Sequence, residues 1–242
     1  MNLKPEIQAI HDEAGIVTIT IDDPGYPEKL KGIDNPPKVL YALGDVSLLN
    51  AEKHSAVIGT RAVTMKGMDV AIGIGNMLAM AGEVVVSGLA DGCDTGGHLG
   101  ALGGGGKTIA ILPYAITEIP TDRQRQIAGR IVDGGGLLVS EYAHGTPSDD
   151  EFYAARDRLQ AAMSEGLIVV ESQVDEGTMV TVAFAEEMGK LLGAYRHPGG
   201  FDMTDTSEGN EYLIKERGVR PITNMKSVNK FMDDMNEIRR NK

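Results

Sequence analysis

The chain has one cysteine in 242 residues, no tryptophan and only four phenylalanines. A lone thiol, Cys93, excludes an internal disulfide framework and offers no second cysteine for a thiolate metal site, so a reducing compartment is expected. Long apolar runs are missing as well. No stretch approaches the ~18 residues of a membrane span, and the opening MNLKPEIQAIHDEAG lacks the apolar core of a signal peptide. The expectation is a cytoplasmic protein with no membrane partner. Positive charge is also scarce: 23 Lys and Arg face 35 Asp and Glu, a formal net charge of −12. That balance argues against indiscriminate binding of polyanions, so any contact with nucleic acid needs a local basic pocket on an acidic body.

Glycine is plentiful, at 31 residues. The stretch ALGGGGKTIAILPY (101–114) imitates a phosphate-binding loop, but its order is wrong. A P-loop runs strand, glycine loop, helix, so that amide groups at a helix N-terminus cradle phosphate. Here the glycines follow a helix and precede a strand, and Ala101 occupies the position that requires the first glycine. Gly103 to Gly106 therefore read as a helix stop and turn.

Apolar runs at 55–60, 83–88, 108–113, 136–141, 166–172 and 191–198 alternate with helical stretches at about 66–81, 94–102, 121–133, 151–164 and 177–190. Runs that are apolar throughout fit a parallel sheet covered on both faces, and strand–helix alternation gives a doubly wound α/β fold. In such sheets ligands sit outside the carboxyl ends of the strands, where the topology reverses.

The strand-to-helix turns are thus the candidate sites. IGTRAVTMKG (58–67) supplies Gly59 for close approach, with Thr60, Arg61, Thr64 and Lys66 as donors. Arginine suits bidentate phosphate contact. VSGLADGCDTGGH (86–98) supplies Ser87 and Gly88; Asp94 is placed to cap the next helix, and His98 reads as a helix residue packing or hydrogen bonding against the loop. VVESQVDEGTMVT (169–181) brings Gly177, Thr178 and Thr181 to a helix N-terminus, a potential anion site, although Asp175 and Glu176 can stabilise that terminus themselves. HPGGF (197–201) resembles a turn of cytokinin-activating phosphoribohydrolases but lacks the Gly-Thr that follows there, and reads as accidental. Met65, Met68, Met77 and Met80 read as core filling.

These segments together resemble the DNA-processing protein A family, DprA or Smf. The resemblance rests on DDPGYPEKLKGIDNPPKVLYALGD (22–45), VIGTRAVTMKG (57–67), VVSGLADGCDTGGHLGAL (85–102), KTIAIL (107–112) and GGLLVSEY (135–142). It continues through FYAARDRLQAAMSEGLIVVES (152–172), EGTMVTVAFAEEMGK (176–190) and EGNEYLIKERGVRPI (208–222). It implies an extended Rossmann-like domain over 22–222: a doubly wound, mostly parallel sheet with helices on both faces. Residues 1–21 would be an N-terminal extension and 223–242 a helical tail.

The implied function is non-catalytic binding of single-stranded DNA, with a RecA-type recombinase as a further partner, a homodimer as the assembly and no cofactor. The DNA-facing positions carried over are Gly59, Thr60 and Arg61, with Lys66 close by, and Arg156 and Arg158 from the family's Arg-Asn-Arg. The middle Asn is Asp157 here, placed to pair with an arginine and weaken the field for phosphate. Arg123 likewise stands where Asn is usual. Tyr114, Phe152 and Tyr153 are candidates for stacking on bases or for buried packing. The tail MKSVNKFMDDMNEIRRNK reads as an amphipathic helix packed by Val228, Phe231, Met232 and Met235. Two other readings stay open: a pocket for a mononucleotide, and a phosphoribohydrolase using Glu171 or Glu186.

Overall fold

The computed structural model describes residues 3–196 and 207–241. The HPGGF turn lies outside the described residues. In chain order the elements are α1 (Pro5–Glu13), β1 (Val17–Thr20), α2 (Glu28–Lys31), β2 (Val39–Gly44), β3 (His54–Ile58), α3 (Met65–Met80), β4 (Val84–Ser87) and α4 (Cys93–Gly103). Then come β5 (Thr108–Leu112), α5 (Asp122–Asp133), β6 (Leu137–Ser140), α6 (Glu151–Met163), β7 (Gly166–Val169) and α7 (Thr178–Glu187). The chain closes with β8 (Leu191–Tyr195), α8 (Glu208–Lys215), β9 (Arg220–Ile222) and α9 (Met225–Arg240).

The strands form one sheet in the order β1-β2-β6-β5-β4-β3-β7-β8-β9. From β6 to β9 neighbours run parallel, while β2 pairs antiparallel with β6 and β1 with β2. The expected doubly wound, mostly parallel sheet is observed. The chain moves outward through β3, β4, β5 and β6, then returns to place β7 on the other side of β3. That reversal puts the crevice for a ligand outside the carboxyl ends of β3 and β7.

Each face carries its own core. Ala56, Ile58, Leu167 and Val169 point to the side covered by α6 and α7 through Leu159, Met163, Val182 and Ala185. The alternate residues Val57, Val85, Ile168 and Val170 point to α3, α4 and α9. Helix α9 docks as the sequence indicates, burying Val228, Phe231, Met232 and Met235. Strand β1 is hydrogen-bonded into the sheet, so the segment read as an extension shares the packed unit.

Glycine finds its main use where α3 crosses α4. A Cβ on Gly75 would lie 2.4 Å from the Gly97 carbonyl oxygen, and one on Gly100 would lie 2.1 Å from that of Ile72. Backbone touches backbone there, which only glycine permits. The run after α4 is a helix stop, as its order required: Gly104 caps the helix and Gly105 takes φ +71°. The methionines depart from expectation. Met77 packs against the core, but Met65 and Met80 are 89% and 74% exposed, because they fall on the first and last residues of α3, beyond the neighbours that cover its middle.

Candidate nucleic-acid interface

Arg61 sits at the tip of a turn pinned from three sides. The Thr60 amide donates to the Glu171 carbonyl at 2.7 Å, and the Cys93 amide donates to the Thr60 carbonyl at 3.2 Å. The Thr60 hydroxyl donates to Glu176 Oε1 at 2.9 Å and accepts from the Ala62 amide. At the far end Thr64 caps α3, accepting from the Gly67 amide, while its own amide and hydroxyl donate to the buried Glu171 carboxylate at 2.9 and 2.7 Å. Gly59 and Gly92 allow this closeness. A Cβ on Gly59 would meet Cys93 Sγ at 2.5 Å, and one on Gly92 would meet the Thr60 carbonyl oxygen at 2.3 Å. Cys93 is buried beneath the turn and burial pushes its thiol pKa up, so it is an inert packing group.

The side chain of Arg61 is exposed and lies over the ring of Tyr153, 4.9 Å from its centroid. It forms no salt bridge among the described residues, and Asp94 acts on it only at longer range. Lys66 is exposed on the first turn of α3, beside the same loop. These two cations face outward together.

Behind them lies a cleft in two chambers that share Arg61, Ala90, Tyr153 and Arg156. The inner one, of 260 Å³, reaches Ile58, Asp94, Asp157, Gln160, Glu176 and Thr181. Gly59, Thr60, Gly177 and Thr178 also line it, so with Arg61, Arg156 and Thr181 seven of the candidate DNA-facing residues converge there. The outer one, of 200 Å³, is walled by Leu89, Pro113, Tyr114, Pro120 and Gln124.

Arg156 is the hub between the chambers rather than an open phosphate contact. It is 6% exposed, its Nη1 donates to the Ile111 carbonyl at 2.8 Å and its Nε to Asp157 Oδ1 at 2.9 Å. Gly88 makes room for it, since a Cβ there would lie 2.0 Å from Nη1 and 2.3 Å from Asp94 Oδ2. Burial raises the pKa of Asp157 to about 6; Arg156 pulls it down and Asp94 pushes it up again. Asp94 is also raised, first by burial, with Arg156 opposing.

The expected residues do not all gather in the cleft, and one expected cap is absent. Arg158 does not reach the cleft; it forms a bidentate pair with Glu141 at 2.6 and 2.8 Å and bonds the Asn35 carbonyl, because it leaves α6 on the side away from Arg156. Lys66 lies outside both chambers. Ser87 supports from below, donating to the Val57 carbonyl at 2.6 Å. Asp94 does not cap α4, whose cap residue is Gly92, but turns toward Arg156. The α7 N-terminus is fronted by Glu176, whose Oε2 also accepts from the Gln173 amide.

Other readings hold. Asp157 pairs with Arg156, and His98 bonds the loop through the Gly88 carbonyl at 2.5 Å. Burial lowers the pKa of His98 to about 4, the Gly88 bond opposing and Arg156 adding to the fall. Tyr114 is buried, Phe152 stacks on Tyr142 with centroids 4.0 Å apart, and Tyr153 alone of the three lies under Arg61. Gln160 was not foreseen. Its signal was a polar stripe at 153, 156, 157 and 160, the spacing of one helix face.

The carboxylates of a hydrolase reading are engaged elsewhere: Glu186 pairs with Arg217 at 2.5 Å and Glu171 holds Thr64. Neither lines the cleft.

Residues 17–233 match the family model for DNA recombination-mediator protein A. The chain belongs to that family. It is 30% identical to DNA processing protein DprA of Bacillus subtilis over 232 residues, covering 96% of this chain and 76% of that protein. To Protein Smf of Synechocystis it is 32% identical over 193 residues, 78% of this chain and 48% of the relative; it thus spans about half of that longer family member. Among solved structures it resembles DNA processing protein A of Helicobacter pylori, studied for its single-stranded DNA binding mode, with 28% identity and a TM-score of 0.79 over 90% of this chain and 96% of that one. No helix among the described residues is long and apolar enough to cross a membrane.

Proposed function

We propose that this DprA-family chain binds single-stranded DNA at the carboxyl edge of its sheet. The phosphate backbone passes over Arg61 and Lys66, and bases turn toward Tyr153 and the cleft behind it. One observation carries this reading: Arg61 is an exposed guanidinium on a pinned turn with no salt-bridge partner among the described residues. Most other arginines have one, among them Arg123, Arg158, Arg196, Arg217 and Arg239. On a body with twelve surplus negative charges, a cation left unpaired beside an aromatic ring suits an outside anion and the base attached to it.

Family membership supports the wider role of a recombination mediator, and the single-stranded DNA binding of the Helicobacter pylori protein supports the ligand. We extend both to this chain as a homodimer that hands the strand to a RecA-type recombinase. Fluorescence anisotropy with a ~20-nucleotide strand, single or duplex, at low salt tests the reading. Single-strand binding stronger than duplex binding is expected; absence of single-strand binding would refute it.

A further inference from the structure

The inner chamber is a poor place for a phosphate. Asp94, Asp157 and Glu176 line it against Arg61 and Arg156, so carboxylates outnumber guanidiniums, and Arg156 is already held by Asp157 and the Ile111 carbonyl. The α7 N-terminus, by itself attractive to anions, has Glu176 directly ahead of it. An anion entering would face several like charges where water screens them weakly. A neutral planar group rich in hydrogen-bond donors would instead meet acceptors, between the apolar surfaces of Ile58, Ala62 and Ala90.

A donor is present too. Gln160 lines the chamber at 2% exposure, and its Nε2 has no hydrogen-bond partner among the described residues. Buried amide hydrogens are rarely left unpaired, so this one calls for an acceptor, a water or a ligand that displaces it. Asp157, on the preceding turn, accepts from Arg156 Nε and from the Thr181 side chain. A carboxylate has about four acceptor sites, which leaves room for further donors. The volume of 260 Å³ falls below the roughly 300–1,000 Å³ of pockets that enclose whole ligands, and suits a fragment of a larger one.

Resting on the single-strand reading above, we propose that this chamber receives one base edge-first, and that Asp157 and Gln160 make guanine the preferred base. Guanine presents two adjacent donors, N1–H and the N2 amino group, beside the O6 acceptor. Asp157 accepts from the pair, and Gln160, whose Nε2 is buried in the free chain, turns to donate to O6. Adenine, cytosine and thymine each offer the carboxylate a single donor position on that edge, leaving part of the site unpaired. A site built to be hydrogen-bonded discriminates against ligands that leave it so.

The test titrates the full chain with strands of equal length built on a thymine background, carrying guanine, adenine, cytosine or inosine at every third position. The guanine strand is expected to bind about tenfold tighter than the adenine and cytosine strands. Inosine, which lacks the N2 amino group, is expected to lose several-fold of that advantage. Gln160→Leu and Asp157→Asn are each expected to flatten the preference. Equal affinity for all strands overturns the guanine proposal and leaves single-strand binding standing, whereas failure to bind any strand overturns both. Should either variant fold poorly, the wild-type comparison decides alone: an inosine strand bound as tightly as the guanine strand contradicts the proposal.

Discussion

Arg61 and Tyr153 form a cation–π pair across the mouth of the cleft, guanidinium carbon to ring centroid 4.9 Å, although they come from a turn and a helix 92 positions apart. The pair presents a charge and an aromatic face together, as a nucleotide does. A base stacked on an aromatic side chain contributes about 1–3 kcal/mol to strand binding. Tyr153→Ala is therefore expected to weaken binding of a single strand by about tenfold or more, while Tyr153→Phe, which keeps the ring, stays near wild type. Anisotropy titration measures both; equal losses for the two variants would show that the ring is not the binding element.

The α3–α4 crossing leaves no room for a methyl group at Gly100, where a Cβ would lie 2.1 Å from the Ile72 carbonyl oxygen. Gly100→Ala is expected to destabilise by about 1–3 kcal/mol, the usual result of overpacking. For a chain of this size each kcal/mol shifts Tm by roughly 2–4 °C. Gly129→Ala, with nothing within 4 Å of the added atom, serves as the control and leaves Tm unchanged or slightly raised.

Helix α9 is locked to the opposite end of the sheet by charge. Arg239 reaches Glu83 at 2.6 Å and Glu165 at 3.1 Å, and all three side chains are less than a tenth exposed. Arg239→Met would leave the buried Glu83 without its cation and take one of two from Glu165, which keeps Lys29, with an expected loss of about 3 kcal/mol in urea unfolding. Glu165 adds a pH dependence. Burial raises its pKa, but Lys29, the His54 amide and Arg239 outweigh burial and hold it below the ordinary carboxylate value. Its contribution is therefore present above the pKa of an unfolded glutamate and is lost as pH falls through the lower native value. A wild-type stability curve that fails to decline in acid faster than that of Glu165→Gln would contradict this.

Asp157 behaves in the opposite sense. Its native pKa, raised to about 6 chiefly by burial, exceeds the unfolded value of 3.8. The folded chain thus binds more protons between those values, and this residue's penalty grows as pH rises through that window. Asp157→Asn, an analogue of the protonated side chain, is expected to raise Tm at pH 7.5 and to give no gain near pH 4. Thermal unfolding at both pH values checks the sign.

Much of the fold was legible in the sequence because a parallel sheet writes itself as largely apolar runs: AVI in β3 and GLIV at β7 are fully buried. Strands β1, β2 and β9 escaped notice: VTIT is half exposed at one sheet edge, β2 pairs antiparallel on both sides, and β9 at the other edge is only three residues long. At the site, the Arg61 turn could be read from its place at a strand end. The directions in which Arg156 and Arg158 leave α6 could not, since two residues of helix separate one face from nearly the opposite one. Gln160 stayed hidden for a similar reason: a buried glutamine resembles any surface glutamine until its neighbours are known.

The salt dependence of single-strand affinity, wild type beside Arg61→Ala, tests the central claim most directly. If Arg61 neutralises one phosphate, the plot of log affinity against log salt is shallower for the variant by about 0.7, with weaker binding at low salt. Parallel lines of equal affinity would mean that the strand does not pass over Arg61.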